Sequence, residues 1–153
     1  MRVLVIAVVS LFITAGTAQA ESDLVVKASP FGVKETLDRL EGVFNKKGVT
    51  VFARIDHAAG AAKVGAKLAP AEVIIFGNPK LGTPLMQSQP RIDIDLPMKV
   101  LAWKDSAGKV WLAYTPADTL AKRHGITDRA KVFKNMAGAL EHSAFRLKHI
   151  RNF

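Results

Sequence analysis

The sequence predicts an α+β fold, a single-domain sheet-and-helix sandwich containing a βαβ unit and a C-terminal strand hairpin followed by helices. Three observations lead to this prediction. Apolar residues recur at spacings of three and four over residues 32–47, as on one face of a helix. Apolar runs at 49–55 and 73–76 flank a segment rich in small residues, and two more runs flank a turn at 105–108. The 153 residues are enough for one domain.

The N-terminal elements each carry their own signal. A short strand over residues 24–26 precedes the helix at 32–47, which ends before Gly48, a residue suited to a helix C-terminus. The strand at 49–55 alternates apolar and polar side chains, and the Ala- and Gly-rich helix that follows occupies residues 58–67. The run Val73-Ile74-Ile75-Phe76 is apolar throughout, as in a central strand that is buried on both faces.

The C-terminal half predicts less regular structure before the hairpin. Pro84 opens a short helix in an otherwise irregular stretch. Asp93 and Asp95 alternate with apolar residues, which predicts an extended segment with both carboxylates on one side. The helical tail breaks at His124-Gly125. The irregular stretch is residues 80–90, and the extended segment is residues 91–97. The two hairpin strands are residues 98–104 and 109–114, and the helical tail resumes at residues 127–148.

Residues 1–20 have the composition of a secretory signal peptide. Arg2 precedes an apolar stretch over residues 3–15, and Ala18-Gln19-Ala20 is a small-residue cleavage site. A membrane anchor is the weaker interpretation, because a spanning helix needs about 20 apolar residues. The sequence therefore predicts a periplasmic or secreted protein, cleaved near Ala20, whose mature domain is residues 21–153.

Composition excludes several kinds of chemistry. The chain has no cysteine, which removes thiol nucleophiles, disulfides and cysteine metal sites. The net charge is +9, and the basic excess is concentrated in residues 121–153. An exported protein rarely meets nucleic acid, so nucleic-acid binding is not expected. Peripheral contact with an anionic membrane surface is the most that this charge predicts.

The candidate site rests on two strand ends. Asp56-His57 follows the first apolar strand and Gly77-Asn78 follows the second. If these strands are parallel, both ends open on one edge of the sheet, where open α/β sheets bind ligands. Asp56 is placed to cap the next helix, His57 to contact a ligand through a ring nitrogen, and Asn78 to supply a donor and an acceptor. The alternative is that all three serve only as cap and turn residues.

Met86 and Asp95 are second-rank members of this rim. Met86 beside His57 suits a soft metal, but two ligands make a poor metal site, and a core gap-filler is the simpler interpretation. Asp93 and Asp95 suit acid–base catalysis or a solvated edge. No GxSxG, P-loop, GxGxxG, HExxH or EF-hand pattern occurs in the chain. The sequence assigns no catalytic residue, cofactor or metal.

Several ordered blocks resemble one known family. They are Ile55-Asp56-His57-Ala58, Val73-Ile74-Ile75-Phe76-Gly77-Asn78-Pro79, Gly82-Thr83-Pro84-Leu85-Met86 and Asp95-Leu96-Pro97, with Arg123-His124-Gly125 further on. Together they resemble the DUF302 family over residues 25–140. The resemblance implies an α+β fold of sheet and helices. It implies no mechanism, because the family is one of uncharacterised function.

The expected function is the binding of a small molecule or ion in the cell envelope. One alternative is an enzyme that uses His57 as general base, with Asp56 or Asp95 orienting it. Another is a structural or interaction homodimer without a ligand.

Overall fold

The computed structural model describes residues 23–146, so the predicted signal peptide and the last residues of the basic tail lie outside the described part. Within it, five strands, five α-helices and one 3-10 helix follow one another. They are β1 (Val25–Ser29), α1 (Val33–Lys46), β2 (Thr50–Asp56), α2 (His57–Lys63), β3 (Ala71–Gly77), α3 (Pro79–Ser88), the 3-10 helix (Pro90–Ile94), β4 (Met98–Lys104), β5 (Val110–Tyr114), α4 (Ala117–His124) and α5 (Ala130–Arg146).

The strands form one sheet in the order β1-β5-β4-β3-β2, and every neighbouring pair is antiparallel. β4 is the central strand, and β1 and β2 are the edges. The predicted α+β fold is confirmed, as are the helix after β1 and the hairpin of β4 and β5.

The βαβ unit does not have the expected parallel strands. β2 and β3 are neighbours, but they are antiparallel: Asp56 is opposite Glu72, and Thr50 is opposite Gly77. A helix that returns the chain for a parallel strand must be about as long as the strand. The seven residues of α2 span about 10 Å, whereas the seven residues of β2 span about 20 Å. The chain therefore enters β3 at the end where it left β2.

Helices α1, α3, α4 and α5 pack on one face of the sheet and enclose the core. α1 has its apolar stripe buried, as predicted, with Leu37, Leu40 and Phe44 nearly inaccessible. They meet Ile74 and Val100 from the sheet face beneath. Within the described residues, the members of this core cluster lie between Val33 and Leu140, and a chain that begins at residue 21 contains all of them.

A network of ion pairs joins α1 to the edge strand β2 and to β3. Arg54 of β2 donates to Asp38 at 2.5 Å and Glu41 at 3.1 Å, both on α1, and to Glu72 on β3 at 2.7 Å. These bonds, above all the one to Glu72, raise the pKa of Arg54 against the opposing effect of burial. The guanidinium therefore stays charged and links the edge strand to the helix that covers it.

The segment between β3 and β4 differs from the prediction in two ways. α3 begins at Pro79 and not at Pro84, because Asn78 caps it and Pro79 occupies its first turn. Residues 90–94 form a 3-10 helix in place of the predicted extended segment, since Gln89 caps a turn that Pro90 begins. Asp93 is exposed, and the extended segment that would have put its carboxylate on the same side as that of Asp95 is absent.

No helix within residues 23–146 is both long and apolar enough to cross a lipid bilayer.

Candidate functional site

The predicted rim is split between the two ends of the sheet. Because β2 and β3 are antiparallel, Asp56 lies at one end of this strand pair and Gly77 at the other. Seven residues of strand separate the ends by about 20 Å. His57 and Asn78, which directly follow these strand ends, therefore do not share a rim. The expectation that they converge is wrong.

At the first end, Asp56 caps α2 as predicted. Its Oδ1 accepts a hydrogen bond from the backbone N–H of Ala59 at 2.9 Å. His57 stands in the first turn of α2 and is exposed, and this helix has no buried residue. His57 is therefore open to solvent and is not enclosed by other side chains, in contrast to a general base in a binding pocket. A ligand contact by His57 stays a prediction.

At the second end lies a cavity of about 400 Å³. It sits between the Gly77 end of the sheet and the helices α1, α3 and α5. Thr83 and Pro97 are among the residues that line it, and both are exposed, so the cavity reaches the surface. Its lining residues are Phe44, Val49, Phe52, Phe76, Gly77, Asn78, Pro79, Leu81, Gly82, Thr83, Met86, Leu96, Pro97, Met98, Met136, Ala139 and Leu140.

The cavity walls are almost entirely apolar. Phe44 and Phe76 stack at one side, with ring centroids 4.3 Å apart and planes at 24°. Met86, Met98 and Met136 contribute thioether side chains, whose three rotatable bonds let them fit contents of varied shape. Met86 was predicted as a second-rank site residue beside His57; the structure places it on the wall of this cavity, at the other end of the sheet from the Asp56 end that His57 follows.

Asn78 is the one other predicted site residue on this cavity. Its Oδ1 accepts from the backbone N–H of Lys80 at 2.9 Å, which caps α3, and its Nδ2 donates to the carbonyl of Gly48 at 3.4 Å. The carboxamide thus ties the start of α3 to the loop before β2. A second amide hydrogen remains for a polar group of a bound molecule.

Gly77 leaves room for a close approach of Phe52 where the wall meets the end of β3. A Cβ at this position would lie 3.1 Å from Cε2 of Phe52 and 3.5 Å from Cβ of Pro97. Phe52 is the extra residue of a β-bulge, between Val51 and Ala53 in the register with β3. The bulge places its ring across Gly77, where it forms part of the cavity lining although more than half of it is exposed.

Asp95 lies beside the cavity and is held by an arginine and a histidine. Its Oδ1 accepts from Nη1 of Arg123 at 2.9 Å, and its Oδ2 is 2.6 Å from Nε2 of His124. The His124 side chain is only 8% exposed. The next residue along the chain, Leu96, lines the cavity. The Asp95 pair with His124 therefore fixes the end of α4 against one wall.

The charge state of Asp95 follows from these contacts. Burial by itself raises the pKa of the carboxyl, but the hydrogen bonds from His124 and Arg123 outweigh it and hold the pKa of Asp95 below its ordinary value. Both carboxylate oxygens are engaged within the chain. These bonds leave fewer acceptor positions for a ligand on the Asp95 carboxylate, and a ligand contact by Asp95 stays a prediction.

Sequence reasoning missed the two features that define this region. The stacked rings of Phe44 and Phe76 belong to predicted buried stripes, so their pattern indicated core and not a cavity wall. His124 was interpreted as a surface residue at a helix break. The sequence feature that could have identified His124 was the block Arg123-His124-Gly125, which resembles the same family as the block Asp95-Leu96-Pro97. In the structure, hydrogen bonds to Asp95 join these two blocks.

Among residues 23–146, no group of three or more His, Asp or Glu side chains is placed to hold a metal ion.

Known proteins resemble this chain in sequence. Residues 25–143 match the profile of a family described as a domain of unknown function, DUF302. A protein of Brucella suis biovar 1 (strain 1330) named "Fluoride-specific ion channel FluC 1" is 46% identical over 106 residues, which are 69% of this chain and 42% of that protein. A protein of the same name from Brucella abortus biovar 1 (strain 9-941) is 46% identical over 106 residues, 39% of its length. The chain thus spans about two fifths of these curated relatives.

A solved structure has the same fold. It is the crystal structure of an uncharacterized conserved DUF302 protein from Bacillus stearothermophilus, with a TM-score of 0.74 and 15% sequence identity. The likeness covers 83% of this chain and 99% of that one. The profile match covers most of the described residues and is accompanied by this likeness in fold. The chain therefore belongs to the DUF302 family.

Proposed function

We propose that this protein binds a small apolar molecule in the cavity at the Gly77 end of its sheet. The observation that carries the proposal is the cavity itself. Its volume of about 400 Å³ lies within the range of about 300–1,000 Å³ of small-molecule sites, which are mostly apolar with few polar groups. Because the cavity opens to the surface, its apolar walls are in contact with water when it is empty, and a bound apolar molecule removes that surface from water.

The lining indicates the class of ligand. Aromatic and thioether side chains form the walls, while Asn78 and Thr83 supply the polar groups. Each 100 Å² of ligand apolar surface removed from water contributes about 2.5 kcal/mol. A molecule that is apolar over most of its surface, with one or two hydrogen-bonding groups, fits this lining. A metal ion or a highly charged molecule does not, since the walls offer little to replace its hydration.

The leader-like residues 1–20 support a place for this binding in the cell envelope. They have the charge and apolar pattern of a signal peptide. The mature chain would meet its ligand in the periplasm or outside the cell.

A role connected with fluoride is a second candidate. It is favoured by the 46% identity over 106 residues to two proteins named as fluoride-specific ion channels. Fluoride is small and strongly hydrated, so an apolar cavity is a poor place for it. A fluoride-dependent rise in the thermal midpoint of the purified chain, compared with equal concentrations of chloride, would support this candidate, and equal midpoints would count against it.

The experiment for ligand binding is a titration with N-phenyl-1-naphthylamine, whose fluorescence rises in apolar surroundings. A neutral dye is chosen because a chain of net charge +9 attracts anionic dyes without a specific site. The chain is produced from residue 21 onwards. We expect saturable binding at one site.

The matched variants are Gly82→Leu and Gly42→Leu. Gly82 lines the cavity in α3, and a Cβ there would lie 3.8 Å from the terminal methyl of Met86, so a leucine side chain extends into the cavity. Gly42 is exposed on α1, where a Cβ meets nothing within 4 Å. Both changes replace a helical glycine and raise helix propensity. Gly82→Leu should weaken dye binding at least tenfold and Gly42→Leu should leave it unchanged. Equal affinities in the two variants would contradict the proposal.

A further inference from the structure

Within residues 23–146, none of the core-forming helices α1, α3, α4 and α5 covers the second face of the sheet, and the short helix α2 contacts β3. Side chains in register point to the same face, and one row crosses all five strands: Val26, Ala113, Leu101, Val73 and Ile55. We call the surface around this row the open face. Every sheet residue in the core cluster has the opposite orientation, and the short helix α2 has no buried residue.

The open face is apolar along most of its extent. In the next row Trp103 is opposite Trp111. Trp111 donates its indole N–H to Asp105 at 2.7 Å, so its polar atom is satisfied within the chain. Val26 is 46% exposed and Ile55 is 44% exposed, which places large apolar side chains in water at both edges. A strand such as β3 that is apolar on both faces is typical of a sheet covered on both sides.

We propose that the open face packs against the open face of a second copy of this chain. The sheet measures about 24 Å across five strands and about 20 Å along them. Its flat projected area is therefore about 480 Å². The solvent-accessible area of the face is larger, because side chains stand out from the sheet, and it approaches the value of about 800 Å² that each partner contributes to a stable interface. Two such faces stack at about 10 Å, the ordinary spacing of packed sheets. Because Leu101 is at the middle of the central strand, a two-fold axis places it near its own copy.

The distribution of charge favours a second copy over a lipid surface. The chain is strongly basic, but exposed lysines such as Lys34, Lys131 and Lys134 belong to the helical layer. In a face-to-face dimer the outer helix surfaces lie about 40 Å apart, several times the Debye length of about 8 Å. Repulsion between the copies is thus screened. An anionic membrane would attract the helical layer and turn the open face away. Lys99 lies on this face near the end of β4, and Nζ of Lys109 lies 4.0 Å from the ring centroid of Trp111.

The test is the solution mass of the chain from residue 21 onwards, measured by sedimentation equilibrium up to about 200 µM. The wild type should be a dimer. The variants Val26→Lys and Ile55→Lys put a charge on the open face at exposed positions, and each should raise the dimer dissociation constant at least thirtyfold. The matched control is Ile94→Lys, because Ile94 is 80% exposed in the 3-10 helix, away from the sheet. It should remain a dimer.

A second readout does not depend on the lysine variants folding. The chain has no cysteine, so Leu101→Cys introduces a single thiol at the centre of the open face. Mild oxidation should convert it to a disulfide-linked dimer at least tenfold faster than the exposed control Ile94→Cys. A monomeric wild type, equal crosslinking rates, or a dimer that survives both lysine variants would overturn the proposal. A monomeric chain that binds anionic vesicles, and that no longer binds them when it carries Val26→Lys, would also overturn the proposal.

Discussion

Replacing Asp95 with alanine should cost about 3 kcal/mol of the free energy of unfolding at pH 7. The change removes the acceptor for His124, a side chain that is only 8% exposed. A hydrogen bond that involves a charged group contributes about 1.5–3 kcal/mol. The pair with Arg123 adds less, about 0–1 kcal/mol, because that guanidinium is 42% exposed. The sum is about 1.5–4 kcal/mol.

The assay is urea unfolding followed by the fluorescence of Trp103 and Trp111. A loss of this size lowers the thermal midpoint by roughly 10 °C for a chain of this length, and it lowers the urea midpoint without changing the slope. The control is Asp93→Ala, because Asp93 is exposed in the 3-10 helix. It should cost less than about 0.5 kcal/mol.

The pH dependence identifies the ionised carboxylate as the cause. The folded-state pKa of Asp95 is lowered, so its stabilisation is complete above the unfolded value of about 3.9. The stabilisation is lost as the pH falls through the lower folded-state value. The difference between wild type and Asp95→Ala should therefore shrink below pH 4. A difference that stays constant down to pH 2, or a loss no greater than that of Asp93→Ala, would refute this reasoning.

Three further predictions follow from the geometry. Asp56→Ala should cost about 1 kcal/mol through the lost cap and leave dye affinity unchanged within twofold; a tenfold loss of affinity would restore Asp56 to the binding site. Gly77→Ala should push the ring of Phe52 by a few tenths of an ångström and weaken dye binding about threefold, whereas an unchanged titration would show that this wall is not in contact with the dye. Arg54→Met should cost about 2–4 kcal/mol in urea unfolding because Glu72 loses its partner in a half-buried position, and a loss below 1 kcal/mol would contradict the role given to the network.

The local elements were predictable because their causes are local. The spacing of Leu37, Leu40 and Phe44 is a helical period, and the structure buries all three. Asp56 has the position and the carboxylate of a helix cap, and it makes that hydrogen bond. The hairpin of β4 and β5 needs only two apolar runs and a turn between them. In each case the physical cause lies within a few residues of its effect.

The site was not predictable to the same extent because it depends on strand direction. The sequence shows apolar runs on either side of α2, but the pattern is the same for parallel and antiparallel neighbours. The antiparallel pairing moves Asn78 about 20 Å from His57, and leaves it beside Met86 on the cavity. His124, the partner of Asp95, is 29 positions away along the chain. The spacing of apolar residues in a sequence does not reveal a contact over that distance.

The most direct test of the proposed binding uses the methionine methyl groups. All three methionines after Met1, namely Met86, Met98 and Met136, line the cavity. In the chain labelled with ¹³C at these methyls, titration with N-phenyl-1-naphthylamine should shift all three resonances along one saturation curve. The curve should give the dissociation constant found by fluorescence. Binding of the dye with all three resonances unmoved would place it elsewhere and contradict the account.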